Sequence, residues 1–190
     1  MRIVLITLIA AATFAAPVVR GVRIDRPKGS EGGRLLVTIG DRELAAAGEA
    51  LKAWPAMSDT AVLYTRQGSY PDQQQLRLFD AAATTSRTIA TVPGRIEDVM
   101  QHLRPQGGWV FILTIKDEAT GVPSLALVTP NRGLVYREIL AVPGTLVSGE
   151  LAIQRYTREE ISRARGDLTK AQPASTDRIS IASLLARNGG

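Results

Sequence analysis

A stretch in the middle of the chain repeats itself after 49 residues. Two matched pairs of segments share this shift, and a third pair follows after one inserted residue. The pairs are Val62–Thr65 with Phe111–Thr114, Leu76–Asp80 with Leu125–Thr129, and Thr91–Gly94 with Ala141–Gly144. Three matches in the same order indicate two copies of one structural unit of about fifty residues.

Each copy consists of short aliphatic or β-branched runs separated by residues that favour turns. The turn residues are Gly68, Pro71 and Asp72 in the first copy and Asp117, Gly121 and Pro123 in the second. This pattern predicts strands joined in hairpins. Leucines alternate with Arg77 and Ala126, which is typical of strands with one face more buried than the other. A third strand is predicted over residues 87–92 and 135–142.

The order of these segments resembles the TolB-type and WD40-like β-propeller blades of bacterial envelope proteins. The resemblance covers about residues 49–151 and is carried by strands such as Ala61–Thr65 and Leu76–Asp80. The turn Arg104–Gly108 departs from the family, which usually has serine, proline, aspartate and glycine there, and the turn Pro55–Asp59 departs further. The resemblance implies an all-β fold of about three propeller-like antiparallel blades. Closed propellers normally have four to eight blades, so an incomplete or open propeller is expected. A small open β-sandwich is the alternative.

The flanks of the repeat are less regular. Arg34–Ile39 is predicted to be a strand, and residues 41–51 fit a hairpin strand and an alanine-rich helix equally well. Thr157–Glu160 matches a capping box, which predicts a short helix to about Gly166. A loop over residues 166–177 and a last strand over 178–181 follow. The predicted domain covers residues 34–186, between a linker at 21–33 and a frayed tail at 187–190.

Residues 3–19 form an uncharged apolar run between Arg2 and Arg20. Residues 1–20 therefore read as a signal peptide, with a cut after Ala15, or as a single membrane-anchor helix. Basic residues come directly after this apolar run, and the positive-inside rule predicts that such residues stay on the cytoplasmic side of the membrane. The signal-like pattern favours export, with the domain on the periplasmic or extracytoplasmic side and a cytoplasmic-facing domain as the alternative.

Few residues are suited to catalysis or metal binding. The chain has no cysteine, and His102 is its only histidine. Asp117 and Glu118 are adjacent acids in a predicted loop, and neighbouring side chains rarely share a substrate. Catalytic, cofactor and metal sites are therefore not predicted. The net charge of +5 is spread along the chain and aromatic residues make up only 5%, which disfavours a nucleic-acid partner.

These features together predict a noncatalytic, membrane-targeted interaction or scaffold module, such as an accessory subunit of a larger membrane or envelope complex. Unpaired sheet edges invite pairing, so a protein partner or self-association is expected. The predicted contact residues are Trp54, Trp109, Asp117, Glu118 and Pro123. An exported ligand-binding propeller-like protein and an exported hydrolase with a carboxylate site are the alternatives.

Overall fold

The computed structural model describes residues 18–186, apart from the side chains of residues 56 and 57. This part of the chain is mostly β-structure, as predicted, with two one-and-a-half-turn helices. The strands are β1 Val19–Asp25, β2 Gly33–Ile39, β3 Arg42–Ser58, β4 Ala61–Gln67, β5 Gln73–Asp80, β6 Thr85–Pro93, β7 Arg95–Leu103, β8 Trp109–Lys116, β9 Pro123–Thr129, β10 Gly133–Ile139, β11 Ala141–Val147, β12 Glu150–Arg155 and β13 Ser175–Ser180. The helices are α1 Arg158–Arg163 and α2 Ile181–Ala186.

The strands form three antiparallel sheets, none of which closes on itself. The first sheet has six strands, β1 to β6, the second has four, β7 to β10, and the third has three, β11 to β13. Within each sheet, strands that follow one another in the chain are neighbours. Core clusters join the first sheet to the second and the second to the third, so the sheets stack face to face.

The first two repeat matches occupy equivalent places in this stack. Val62 pairs with Phe79 in β4–β5, and their counterparts Phe111 and Val128 pair in β8–β9, so the two hairpins have the same register. Val62 and Phe79 lie in the core within the first sheet, while Phe111 and Val128 lie in the core between the first and second sheets. The second copy is therefore the first copy displaced by one layer, and this part of the repeat is confirmed.

The two segments of the third match lie in different places in the fold. Thr91–Pro93 ends β6 and pairs with β5, whereas Ala141–Pro143 begins β11 and pairs with β12 of the third sheet. The predicted strand over residues 135–142 is broken at Leu140, whose φ of 60° turns the chain from β10 into β11. The second copy thus leaves its sheet before the third matched segment is reached.

The two central strands of the second sheet, β8 and β9, are covered on both faces. All seven residues of β9 are buried. Leu125 and Leu127 face the third sheet, while Ala126 and Val128 face the first. The alternation of leucines with Ala126 had predicted that one face of this strand is less buried than the other. That prediction was wrong, because Ala126 is a small residue that is also buried. A sheet covered on both sides takes nearly continuous apolar strands.

The first sheet folds over on itself at a bend in β3. The first half of β3 pairs with β2 and the second half pairs with β4, with register shifts on both sides of Ala50. At the bend, Glu49 has a φ of 57°. The two halves enclose a core that includes Leu35, Tyr64 and Phe79. Residues 41–51 are therefore a strand after the Gly40–Asp41 turn, and the helical alternative was wrong because pairing with β2 overrides the helix propensity of alanine.

Two predicted boundaries also differ from the structure. Gly21–Asp25, assigned to the linker from the sequence, belong to β1, because Val22 and Ile24 alternate into the core of the first sheet. Residues 26–32 alone connect β1 to β2. The turn predicted at Pro55–Asp59 lies instead at Asp59–Thr60, since β3 continues to Ser58, which pairs with Ala61.

The carboxyl-terminal part of the domain contains the predicted capped helix. The Oγ1 atom of Thr157 accepts a hydrogen bond of 3.1 Å from the backbone N–H of Glu160, at the start of α1. The last strand, β13, begins three residues earlier than expected, and α2 was missed. Residues 1–17 and 187–190 lie outside the described part, and with them most of the predicted targeting segment and the predicted tail. Between residues 18 and 186, no helix has the length and apolarity needed to cross a membrane.

Candidate functional site

The two predicted tryptophan contacts belong to one region. Trp54 lies in the second half of β3 and Trp109 begins β8, and both are half-buried against the core between the first and second sheets. The indole Nε1–H of Trp54 donates a 3.2 Å hydrogen bond to Asp98 on β7. Trp54 also lines a shallow cleft with Val22 and Arg23 of β1. Of the two, Trp54 is the one shown to border an open cleft.

The other predicted contacts lie at the opposite end of β8. Asp117 and Glu118 follow that end, about 23 Å along the strand from Trp109 at the usual rise per residue. Asp117 accepts hydrogen bonds from the hydroxyl and backbone N–H of Thr120, which lower the pKa of its carboxyl. Pro123 is buried at the start of β9. The five predicted residues therefore do not form one patch, and Pro123 is buried within the domain.

A group of polar side chains joins β3 of the first sheet to β7 of the second. We call Lys52, Trp54, Arg95, Glu97 and Asp98 the inter-sheet cluster. Lys52 Nζ lies 3.1 Å from a Glu97 carboxylate oxygen and 2.9 Å from the Glu97 backbone oxygen. Arg95 approaches the other carboxylate oxygen of Glu97 at 2.7 Å. The cluster therefore fixes β3 against β7 with paired charges.

The charge state of Glu97 reflects a competition. Partial burial, the largest single influence, raises the pKa of the Glu97 carboxyl. Hydrogen bonds and charge attraction from Lys52 and Arg95 together outweigh it, so that the pKa lies below the ordinary 4.5. A folded-state pKa below the unfolded value means that the carboxylate stabilises the fold above pH 4.5 and that this contribution is lost as the pH falls through the folded value. Glu97 is thus a paired structural anion.

We expect Glu97→Gln to reduce the acid sensitivity of the fold. At pH 7 the variant should be less stable than the parent, by an amount limited by the 30% exposure of the Glu97 side chain. The difference should shrink progressively as the pH falls below 4.5 and through the lower folded-state pKa, because the Glu97 carboxyl of the parent gains its proton over that range. Urea midpoints at pH 7 and pH 3.5 measure this, with Glu159→Gln as the exposed control. A constant difference at both pH values would contradict the assigned role.

The residues considered for a hydrolase site do not lie together in the described part of the chain. His102 lies on β7 opposite Val110, near the end of β8 that carries Trp109. It is therefore far from Asp117 and Glu118, the two acids that a hydrolase site would combine with it. Within residues 18–186, no three His, Asp or Glu side chains lie close enough together to hold a metal ion.

A large cleft lies beside the connection between β1 and β2. It has a volume of about 710 Å³ and is bordered by Arg26, Arg34, Glu49 and Leu51 among others. The guanidinium group of Arg26 donates to the backbone oxygens of Leu51, at 2.6 Å, and Glu31, at 3.2 Å. These bonds hold the connection over the bend of β3. The cleft thus has two arginines and two acidic residues, Asp25 and Glu49, on a mixed polar and apolar wall.

Neither the inter-sheet cluster nor this cleft was recognised from the sequence. No strand was predicted from the sequence over Arg95–Leu103, which forms β7. A signal was present, since Ile96 and Val99 supply the buried positions on either side of a one-residue bulge. Lys52, the partner of Glu97 on β3, lies 45 residues away along the chain, and no local pattern connects the two.

Comparison of the sequence with models of known protein families and with curated proteins finds no match.

Proposed function

We propose that this protein is a noncatalytic β-rich interaction module, acting as an accessory subunit of a larger membrane or envelope complex. The observation that carries the proposal is the open stack of sheets. Three sheets pack face to face, yet each has two edge strands, which gives six edges: β1, β6, β7, β10, β11 and β13. An edge strand presents backbone N–H and C=O groups that another chain can pair with.

The connection between sheets suits such a role. Lys52 and Glu97 join β3 to β7, and the Gln101 side chain donates to the Pro55 backbone oxygen at 3.1 Å. The backbone N–H of Ile96 donates to the buried side chain of Gln74 at 3.0 Å. These contacts hold the first two sheets as one body, and a rigid body loses little conformational entropy when it binds.

The finer architecture we propose is that of an incomplete propeller. The second half of β3 with β4, β5 and β6 is one blade-like unit, β7 to β10 form the next, and β11 to β13 form a shorter third. The shared register of the β4–β5 and β8–β9 hairpins supports this interpretation. Three units are fewer than the four to eight of closed propellers.

The membrane location rests on the sequence alone. The apolar run over residues 3–19 supports export, with the domain outside the cytoplasm and either released or anchored. The basic residues that follow this run favour the alternative, in which the domain faces the cytoplasm. Determination of the mature amino terminus, together with protease protection of the domain in intact cells and vesicles, separates these cases.

Gentle solubilisation of the full chain from its native membranes tests the proposal. We expect it to elute well above its own mass of 20.4 kDa, with other chains in fixed proportion. Overproduction of the chain alone is the control, because excess subunit without its partner should elute later in gel filtration, as a separate and smaller species. A solitary monodisperse monomer from native membranes would overturn the proposal.

A ligand-binding function is the second candidate, and the cleft beside the β1–β2 connection favours it. Its volume of about 710 Å³ is within the range of small-molecule sites. Arg34→Ala and Glu49→Ala should then abolish ligand binding without dissociating any complex. The hydrolase alternative has less support, since His102 lies far from Asp117 and Glu118.

A further inference from the structure

The six edge strands differ in how well they are protected against pairing. Five of them carry an extra residue opposite the neighbouring strand, which makes a β-bulge. The shifts in register fall at Arg20 in β1, Ile89 in β6, Glu97 in β7, Val135 in β10 and Gly144–Thr145 in β11. Bulges twist an edge away from a regular strand partner, and natural proteins use them for that purpose.

The edge strand β13 lacks this protection. It pairs with β12 in an unbroken register over all six residues, from Ser175 opposite Arg155 to Ser180 opposite Glu150. It contains no proline, and its first four residues are exposed. Among residues 18–186, β13 is thus the one edge that offers a regular backbone ladder to another strand.

The faces at the two ends of the stack are less suited to docking. On the outer face of the first sheet, Leu36 lies between Arg23 of β1 and Ala45 of β3. Arg23 also forms an ion pair with Glu43 at 2.9 Å on this face. The outer face of the third sheet carries Thr176 and Arg178 on its edge strand. Terminal units of stacked folds are polar on their outer face, which keeps further units from stacking there. An additional chain is therefore better accommodated at an edge.

The charges on β13 indicate what kind of strand fits. Asp177 shares the guanidinium group of Arg155 with Glu138, on the opposite face of the strand from Arg178. Arg178 is exposed and, within the described residues, forms no ion pair and no side-chain hydrogen bond. On its outer face the edge thus presents Arg178 as a positive charge without an ionic partner. Opposite charges across neighbouring strands are stabilising, and like charges are destabilising.

A second copy of β13 fits this edge poorly. A two-fold axis between antiparallel strands is perpendicular to the sheet, so directly opposed residues point to the same face. In the two central registers, Asp177 would face Asp177 or Arg178 would face Arg178. Both place like charges opposite each other. The edge is therefore unfavourable for symmetric self-pairing.

We propose that β13 is the docking edge, and that it receives an extended segment of another protein with an aspartate or glutamate facing Arg178. This inference rests on the proposed interaction function and names the surface and the chemistry of the partner. Backbone pairing along β13 supplies affinity in such strand addition, and the side chain opposite Arg178 supplies specificity.

Site-specific photo-crosslinking in the full chain, in its native membranes, tests the inference. A photoreactive residue at Thr176 reports on β13, and one at Thr88 on the bulged edge β6 is the matched control. We expect a crosslink from position 176, mapped by mass spectrometry to an extended segment that contains Asp or Glu. Arg178→Glu should lower its yield about three- to tenfold, and Arg178→Lys should leave it nearly unchanged. Because Arg178 is exposed, both variants should keep the urea midpoint of the parent.

The other outcomes separate the two proposals. Crosslinks from Thr88 and none from Thr176 would overturn β13 as the docking edge while leaving the interaction function in place. A crosslink between two copies at position 176, or a yield indifferent to Arg178→Glu, would overturn the acidic partner. If neither position crosslinks and the chain elutes as a solitary monomer, the inference and the proposed function both fail.

Discussion

Phe111→Ala should lower the free energy of unfolding by about 3–5 kcal/mol, the usual cost of removing a buried phenylalanine ring. Phe111 lies on β8 and is completely buried in the core between the first and second sheets. It contributes to the packing that joins two separate sheets, and neither sheet can move in to fill the cavity without disturbing its other face. The full cavity cost is therefore expected.

Urea unfolding at pH 7 measures this change, followed by fluorescence of Trp54 and Trp109, which pack against the same core. The matched control is Tyr70→Ala, which removes an aromatic ring that is 64% exposed in the β4–β5 loop and should change stability by less than about 0.5 kcal/mol. A loss at Phe111 as small as that at Tyr70 would show that the first and second sheets are not packed together as described.

The hairpins at the centre of the repeat were predictable because their information is local. Short apolar runs of β-branched and aliphatic residues identify β4, β5, β8 and β9 directly. The repeat then indicates that the two hairpins are equivalent, as their common register confirms. Thr157 and Glu160 likewise identify the start of α1 within four residues. In each of these cases, the residues that determine the structure are close together in the chain.

The elements that were missed depend on residues far apart in the chain. The first half of β3 is rich in alanine and is a strand because β2 lies beside it. Strand β1 contains charged residues at alternate positions, and its apolar residues acquire a core only once the first sheet bends at Glu49. The inter-sheet cluster has the same origin, because Lys52 and Glu97 meet only through the stacking of two sheets. Single-sequence patterns carry no signal for such pairings.

Gly94 connects the first sheet to the second, and we expect Gly94→Ala to be the most disruptive of the single-methyl additions in the repeat. Its φ of +89° lies in the left-handed region, and an added Cβ would lie 2.6 Å from the backbone oxygen of Lys116. The left-handed conformation costs about 1–2 kcal/mol for a residue with a Cβ. Overpacking against a backbone atom adds about 1–3 kcal/mol. The expected loss of stability is therefore about 2–5 kcal/mol.

Two other glycines separate these contributions. Gly107, in the β7–β8 turn, has a φ of +84° and no atom within 4 Å of an added Cβ, so Gly107→Ala measures the conformational cost alone. Gly144, the repeat counterpart of Gly94, lacks the left-handed φ and would place its Cβ 3.3 Å from that of Ala152. We expect urea unfolding to rank Gly94→Ala as the most destabilising of the three.

Equal losses at Gly94 and Gly107 would mean that Lys116 does not approach Gly94 so closely. Equal losses at Gly94 and Gly144 would mean that the third repeat match is structurally equivalent after all, contrary to its placement in two different sheets.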